Sequence, residues 1–164
     1  MKYPDEIDFY YVLEPHGWST CYINIEGSIF EMGPTHVFFN PIELLLDAFT
    51  SILKGGNRAE FKWDDEPGEY RWTIVRNKEQ KHKINVSITN CLQLNSKDNE
   101  LKLITLEFEV KIKLFCICIL KQMEKIQELM TDSSFKKYRV GEFPYVNFKE
   151  FKLNYEQIYL QKTK

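Results

Sequence analysis

The sequence predicts an α+β fold in which antiparallel sheets carry helices packed on one face. Three observations support this prediction. Segments in which apolar and polar residues alternate, the period of a half-buried strand, recur along residues 7–110. Two longer segments, 41–54 and 111–131, instead repeat apolar residues at helical spacing. Strands that occur in runs joined by turns are typical of antiparallel sheets rather than of βαβ units.

The first half of the chain predicts four strands followed by a helix. The strands cover residues 7–13, 18–25, 28–32 and 35–39. The helix at 41–54 has the clearest local signal, because Asn40 suits the N-cap, Pro41 stands at N1 and Glu43 at N3. Two glycines then end this helix.

The second half predicts the same order of elements. Its strands are 59–63, 69–76, 83–91 and 101–110, with a turn at 64–68, a polar loop at 95–100 and a helix at 111–131. The order ββββα-ββββα predicts an internal repeat with halves 7–56 and 57–131; the alternative is one antiparallel sheet covered by two helices. A C-terminal extension, 132–164, predicts a last helix at 147–160 with Asn147 as its N-cap. We interpret residues 1–164 as one domain.

Charge and composition restrict the classes of partner. The 164 residues have a formal net charge of −2, but residues 1–35 contain one lysine and six acids, whereas 136–164 contain seven basic and three acidic side chains. A nucleic-acid binder usually has a basic excess, so nucleic acid is not the expected partner. The sequence predicts no secretory segment and no membrane span. Four cysteines without disulfide spacing favour a cytoplasmic protein.

Motifs for catalysis are not found. His16, His36 and His82 do not stand at ligand spacing with one another or with cysteine. Cys116 and Cys118 would point about 200° apart on a helix, so they cannot chelate one ion together. No nucleophile elbow or phosphate-binding loop occurs. The sequence therefore predicts no enzyme, no metal and no cofactor.

An acidic run beside two aromatic residues is the main candidate site. Carboxylates in this density suit a solvated turn, a metal ion or a negative patch for a basic protein partner. We favour the protein partner. The candidate contact residues are Asp64, Asp65, Glu66, Glu69, Tyr70 and Trp72.

Aromatic residues on the predicted strands are a second candidate feature. Exposed aromatics on a sheet can stack nucleic-acid bases or form the hot spot of a protein interface. The alternative is that helices or a second copy cover them. The residues concerned are Tyr10, Tyr11, Trp18, Tyr22, Trp63, Tyr70 and Trp72.

Two segments resemble a known group of proteins. NPIELLLDAFTSILKGG at 40–56 and W-x-x-E-P-G-E-Y-R-W at 63–72 are similar to sequences in small bacterial proteins, some of which neutralise toxins in contact-dependent inhibition systems. The ββββα order also resembles the Whirly and PUR-type fold that binds single-stranded nucleic acid. The resemblance implies an immunity-type protein that binds and occludes a toxin. The alternatives are a single-stranded nucleic-acid binder and a homodimerising structural or regulatory module.

Overall fold

The computed structural model describes residues 6–93, 100–139 and 143–161. Within these residues the chain forms two antiparallel sheets, of three and four strands, together with four α-helices, which confirms the α+β class. No helix in this part of the chain combines the length and the apolar character needed to cross a bilayer.

The first sheet consists of β1 (Ile7–Leu13), β2 (Ser19–Ile25) and β3 (Ser28–Met32), paired in that order. Alternate side chains of β1 and β2 are buried, as the sequence period predicts. Glu26 and Gly27 form the turn between β2 and β3, with φ of 51° and 82°. Two consecutive positive φ angles are the geometry of a tight hairpin turn, and glycine adopts one of them without strain.

The predicted fourth strand at 35–39 is wrong. This segment forms one isolated bridge, between Thr35 and Trp18, and no ladder. The reason is that the backbone N–H groups of Thr35 and His36 donate to two different elements, to Asp64 O (2.8 Å) and Gly17 O (2.8 Å) respectively. The first half is therefore a βββα unit, and the predicted internal repeat is not confirmed.

The second sheet is a four-stranded meander of β4 (Arg58–Asp65), β5 (Gly68–Arg76), β6 (Lys83–Gln93) and β7 (Glu100–Lys111). All four predicted strands are present and are longer than predicted. The turn predicted at 64–68 contains only residues 66 and 67. Apart from the first residue of β7, the predicted loop at 95–100 lies outside the described residues.

Four helices complete the fold: α1 (Pro41–Leu53), α2 (Ile112–Leu129), α3 (Ser133–Lys136) and α4 (Tyr145–Tyr159). The N-cap of α1 is confirmed, because Asn40 Oδ1 accepts hydrogen bonds from the backbone N–H groups of Ile42 (3.0 Å) and Glu43 (3.3 Å). The short helix α3 was not predicted; Asp132 caps it in the same way.

The predicted cap of the last helix is wrong. Helix α4 begins two residues before Asn147, and Pro144 occupies its N-cap position without a side-chain hydrogen bond. The Asn147 side chain instead donates from Nδ2 to Asp47 Oδ1 on α1 (2.7 Å). The Asn147 side chain therefore takes part in a contact between α1 and α4, rather than in the N-cap that the sequence predicted.

Phe115 on α2 lies at the centre of the core between the two sheets. Its ring centroid is 6.1 Å from that of Phe9 on β1, 5.4 Å from Phe49 on α1 and 5.5 Å from Phe108 on β7, all in edge-to-face geometry. Edge-to-face aromatic pairs add stabilisation beyond the area that they bury. One side chain of α2 therefore contacts both sheets and α1.

We expect Phe115→Ala to lower the free energy of unfolding by about 3–5 kcal/mol, because it removes these three contacts and leaves a cavity. Urea denaturation followed by circular dichroism would measure the change. Leu153→Ala, at an exposed position on α4, is the matched control and should change stability by less than about 0.5 kcal/mol. Equal effects of the two substitutions would contradict the central role of Phe115.

Candidate protein-binding surface

The six candidate residues lie on one hairpin, formed by β4 and β5, but they do not form one surface. In its register Asp64 pairs with Glu69 and Asp65 with Gly68. Because successive side chains on a strand point to opposite faces, this register separates the six residues into inward and outward sets. Asp64, Asp65 and Glu66 end β4 and begin the turn, and are called the acidic turn below.

Tyr70 and Trp72 belong to the inward set. Trp72 is 1% exposed, and its ring stacks on that of Phe61 (centroids 5.2 Å apart) and contacts Trp63 edge to face (4.9 Å). Tyr70 is 8% exposed. A partner cannot reach either ring while the domain is folded, so these two residues support the hairpin from the core side.

Glu69 points outward but is already neutralised. Lys62 Nζ lies 2.9 Å from Glu69 Oε2, and Arg71 Nε lies 2.5 Å from Glu69 Oε1. Burial alone would raise the pKa of Glu69, but the hydrogen bonds from Lys62 and Arg71 outweigh it and hold the pKa below its usual range. The outward face of the hairpin is therefore mixed in charge rather than acidic.

Asp65 points towards the core side and interacts with Tyr70. Burial raises the pKa of Asp65, against the lowering effect of the hydrogen bond to Tyr70. Burial and the nearby Asp65 carboxylate together raise the pKa of Tyr70 to about 12. Tyr70 is thus a neutral hydroxyl that contacts one carboxylate of the acidic turn.

An exposed apolar group near this turn combines Trp18, one of the candidate aromatic residues, with three residues that the sequence did not single out. Val37, Phe38 and Phe39 are 61%, 68% and 56% exposed, and Trp18, which is bridged to Thr35, is 50% exposed. We call these four residues the apolar strip. Exposed apolar groups of this size are uncommon on a monomeric surface and mark interaction sites.

Backbone contacts fix the segment before the apolar strip to β4 and to residues 17–18. Thr35 is bridged to Trp18 and donates its N–H to Asp64 O, and His36 donates its N–H to Gly17 O. The first of these bonds joins the segment directly to the acidic turn. The apolar strip and the acidic turn are consequently neighbours, although they are far apart in sequence.

A buried polar network fixes the same segment from below. The Tyr11 hydroxyl lies 2.7 Å from Ser19 Oγ and 3.0 Å from His36 Nε2, and Ser19 Oγ donates to Pro34 O (2.6 Å). Since the single Ser19 proton goes to Pro34, Tyr11 must donate to Ser19, and His36 must donate from Nε2 to Tyr11. When neutral, His36 is therefore protonated at Nε2 and unprotonated at Nδ1.

That Nδ1 atom is buried without a hydrogen-bond partner, as is Thr35 Oγ1. Protonation of His36 would place a charged N–H group where no acceptor receives it. Burial accordingly lowers the pKa of His36 to about 4. His36 is therefore neutral near pH 7.

Among the described residues, no three or more His, Cys, Asp or Glu side chains come together as a metal site would require. All four cysteines are thiols rather than disulfides, and burial raises the pKa of the most exposed one, Cys118, to about 11. A thiol with a raised pKa is a poor nucleophile.

A cavity of about 420 Å³ between α1 and α4 has polar walls. Its two carboxylates are already engaged, since Asp47 accepts from Asn147 and Glu150 pairs with Lys54. Both carboxylates that line the cavity therefore take part in contacts between α1 and α4.

We expect the stability of the protein to fall as the pH falls from about 6.5 to about 4. The folded state holds His36 neutral down to about pH 4, whereas the unfolded chain takes up the proton near pH 6.5, so acid favours unfolding. The stability that the neutral His36 contributes is fully present above pH 6.5. About 3 kcal/mol of the unfolding free energy is lost as the pH falls to about 4. Urea denaturation at several pH values would measure it.

His36→Gln keeps a side-chain donor towards Tyr11 but does not titrate, and is the matched variant. The difference in unfolding free energy between wild type and His36→Gln should shrink as the pH falls through this window. Subtraction of the two proteins removes the effect of carboxylates that titrate at lower pH. A difference that stays constant with pH would contradict the buried neutral histidine.

Comparison with known proteins assigns no family to this surface. No family model, no curated protein and no solved structure matches the chain. The site residues themselves are therefore the basis on which a function can be argued.

Proposed function

We propose that this protein is a non-enzymatic binding protein of the toxin-immunity type, which occludes a protein toxin with the apolar strip and the acidic turn. The observation that carries the proposal is the exposure of the strip directly after Thr35 and His36, whose backbone N–H groups are fixed by hydrogen bonds. A fixed surface loses little conformational entropy on binding, which favours tight association.

The size of the apolar strip supports a protein partner. A large aromatic side chain has about 150–250 Å² of surface, so the half-exposed rings of Trp18, Phe38 and Phe39 leave about 100 Å² each. With Val37 the strip reaches roughly 400 Å², within the size range of functional patches on monomers. Aromatic anchors of this kind supply most of the energy in protein interfaces.

The acidic turn adds charge selection to this surface. Asp64 O accepts the N–H of Thr35, in the segment that precedes the strip. Glu66 follows Asp64 by two residues. Negative charge beside an apolar patch speeds the approach of a basic partner and disfavours acidic ones. Cysteines that remain thiols fit our proposal of a cytoplasmic location.

We expect Phe38→Ser/Phe39→Ser to abolish capture of the partner from lysate of the native organism. The immobilised wild-type chain should retain one dominant basic protein, identified by mass spectrometry, because the two rings supply the anchors. Val146→Ser, at another highly exposed apolar position (79%) on α4, is the control and should retain the same protein.

Calorimetry would then measure the affinity of the purified partner for the wild type and for each of the two variants. A toxicity assay would compare the partner alone with the partner mixed with each of these proteins. Equal affinity of the wild type and the Phe38→Ser/Phe39→Ser variant would contradict the proposed surface. Partner toxicity that the wild type leaves unchanged would contradict the immunity role even if binding occurs.

Single-stranded nucleic acid is the alternative ligand. A sheet that stacks bases needs exposed rings; Tyr11, Trp63, Tyr70 and Trp72 are buried, whereas Tyr10 and Trp18 are 45% and 50% exposed. The net charge of −2 disfavours phosphate contacts. We therefore expect no salt-sensitive binding of a fluorescent single-stranded oligonucleotide, measured by anisotropy at about 50 mM salt, where phosphate contacts are strongest. Binding that salt removes would favour the nucleic-acid function over the immunity function.

A further inference from the structure

The apolar strip has a charged group at each end. At one end Thr35 N–H donates to Asp64 O of the acidic turn (2.8 Å). At the other end His16 N–H donates to Tyr138 O (2.6 Å), and the two rings are 5.6 Å apart. Residues 16–18 lie between these contacts. Backbone contacts therefore link the acidic turn to residues 35–36, these to residues 17–18, and residue 16 to Tyr138.

The Tyr138 end is basic. Lys136 and Lys137 are exposed there, and we call this pair the basic end. Arg139 fixes the segment to the first sheet, because its guanidinium donates to Leu13 O (2.8 Å) and to Phe135 O (2.5 Å). The basic end is thus held at a defined place relative to the strip, as the acidic turn is.

We propose that two copies of this chain pair through the apolar strip across a two-fold axis, with the acidic turn of each copy against the basic end of the other. In a two-fold interface the same patch meets itself in reverse order. A patch that runs from acidic through apolar to basic is complementary to its own reversed copy.

The apolar centre of the proposed interface accounts for part of the area that a standard dimer buries. The exposed rings of Trp18, Phe38, Phe39 and Tyr138 leave roughly 400 Å², which is about half of the roughly 800 Å² that each partner buries in a standard interface. The two charged ends surround this apolar centre and supply the polar rim. Such an arrangement matches the anatomy of specific protein interfaces.

The dimer would use the surface that we assign to a partner under the proposed function, so the two complexes compete. The dimer is nevertheless measured with this chain alone. A monomer in solution would overturn the dimer and leave partner binding in place. A dimer with no captured protein would support the dimer and count against the immunity role.

Sedimentation equilibrium of the full chain over a wide concentration range is the first test. We expect a reversible monomer–dimer equilibrium, a dissociation constant at least about tenfold higher for Phe38→Ser/Phe39→Ser, and no change for Val146→Ser. Circular dichroism would establish that each variant is folded. A wild-type monomer at all concentrations, or a dimer that Val146→Ser weakens and the strip variant does not, would overturn the proposal.

Charge reversal gives the second and more specific test. Asp64→Lys/Glu66→Lys makes both ends basic, and Lys136→Glu/Lys137→Glu makes both ends acidic. Each variant alone should dimerise at least about tenfold more weakly than the wild type, because like charges meet at both ends. An equimolar mixture of the two should form a heterodimer at least as tight as the wild-type dimer. A mixture that associates no better than its components would overturn the paired-end geometry.

Discussion

The hydrogen bonds from His36 through Tyr11 and Ser19 to Pro34 are the contacts on which the binding surface depends. Tyr11 belongs to the first sheet, and its ring also packs against Trp63 of the second sheet, with centroids 6.1 Å apart. The same side chain therefore takes part in the core between the sheets and anchors the segment that precedes the apolar strip. Core packing and surface geometry are coupled through one residue.

This coupling has a cost in stability. His36 Nδ1 and Thr35 Oγ1 are buried without partners, and each unsatisfied polar atom costs about 1–3 kcal/mol. Exposure of Val37, Phe38 and Phe39 adds nothing to the core. Proteins keep such locally unfavourable features mainly where function requires them. Their coincidence in five consecutive residues, 35–39, is the physical reason to place the functional surface there.

Local chemistry made parts of this fold predictable, and tertiary contacts decided the rest. The cap at Asn40 was predictable because its acceptor and donors lie within three residues. The strand at 35–39 failed because its backbone bonds go to Gly17 and Asp64, which no local pattern reveals. Three consecutive bulky apolar residues were the available signal, since a strand cannot turn all of Val37, Phe38 and Phe39 inward.

The net charge of −2 does not reveal that acidic and basic side chains lie at separate places on this surface. The acidic turn and the basic end lie on opposite sides of the apolar strip, so they orient a partner more than they attract one. Any protein that covers the whole strip must carry the reverse order, with a basic group opposite the acidic turn and an acidic group opposite Lys136 and Lys137. A basic toxin with an acidic group opposite Lys136 and Lys137 would meet this requirement, and so would a second copy of the chain, because its own sequence supplies both ends.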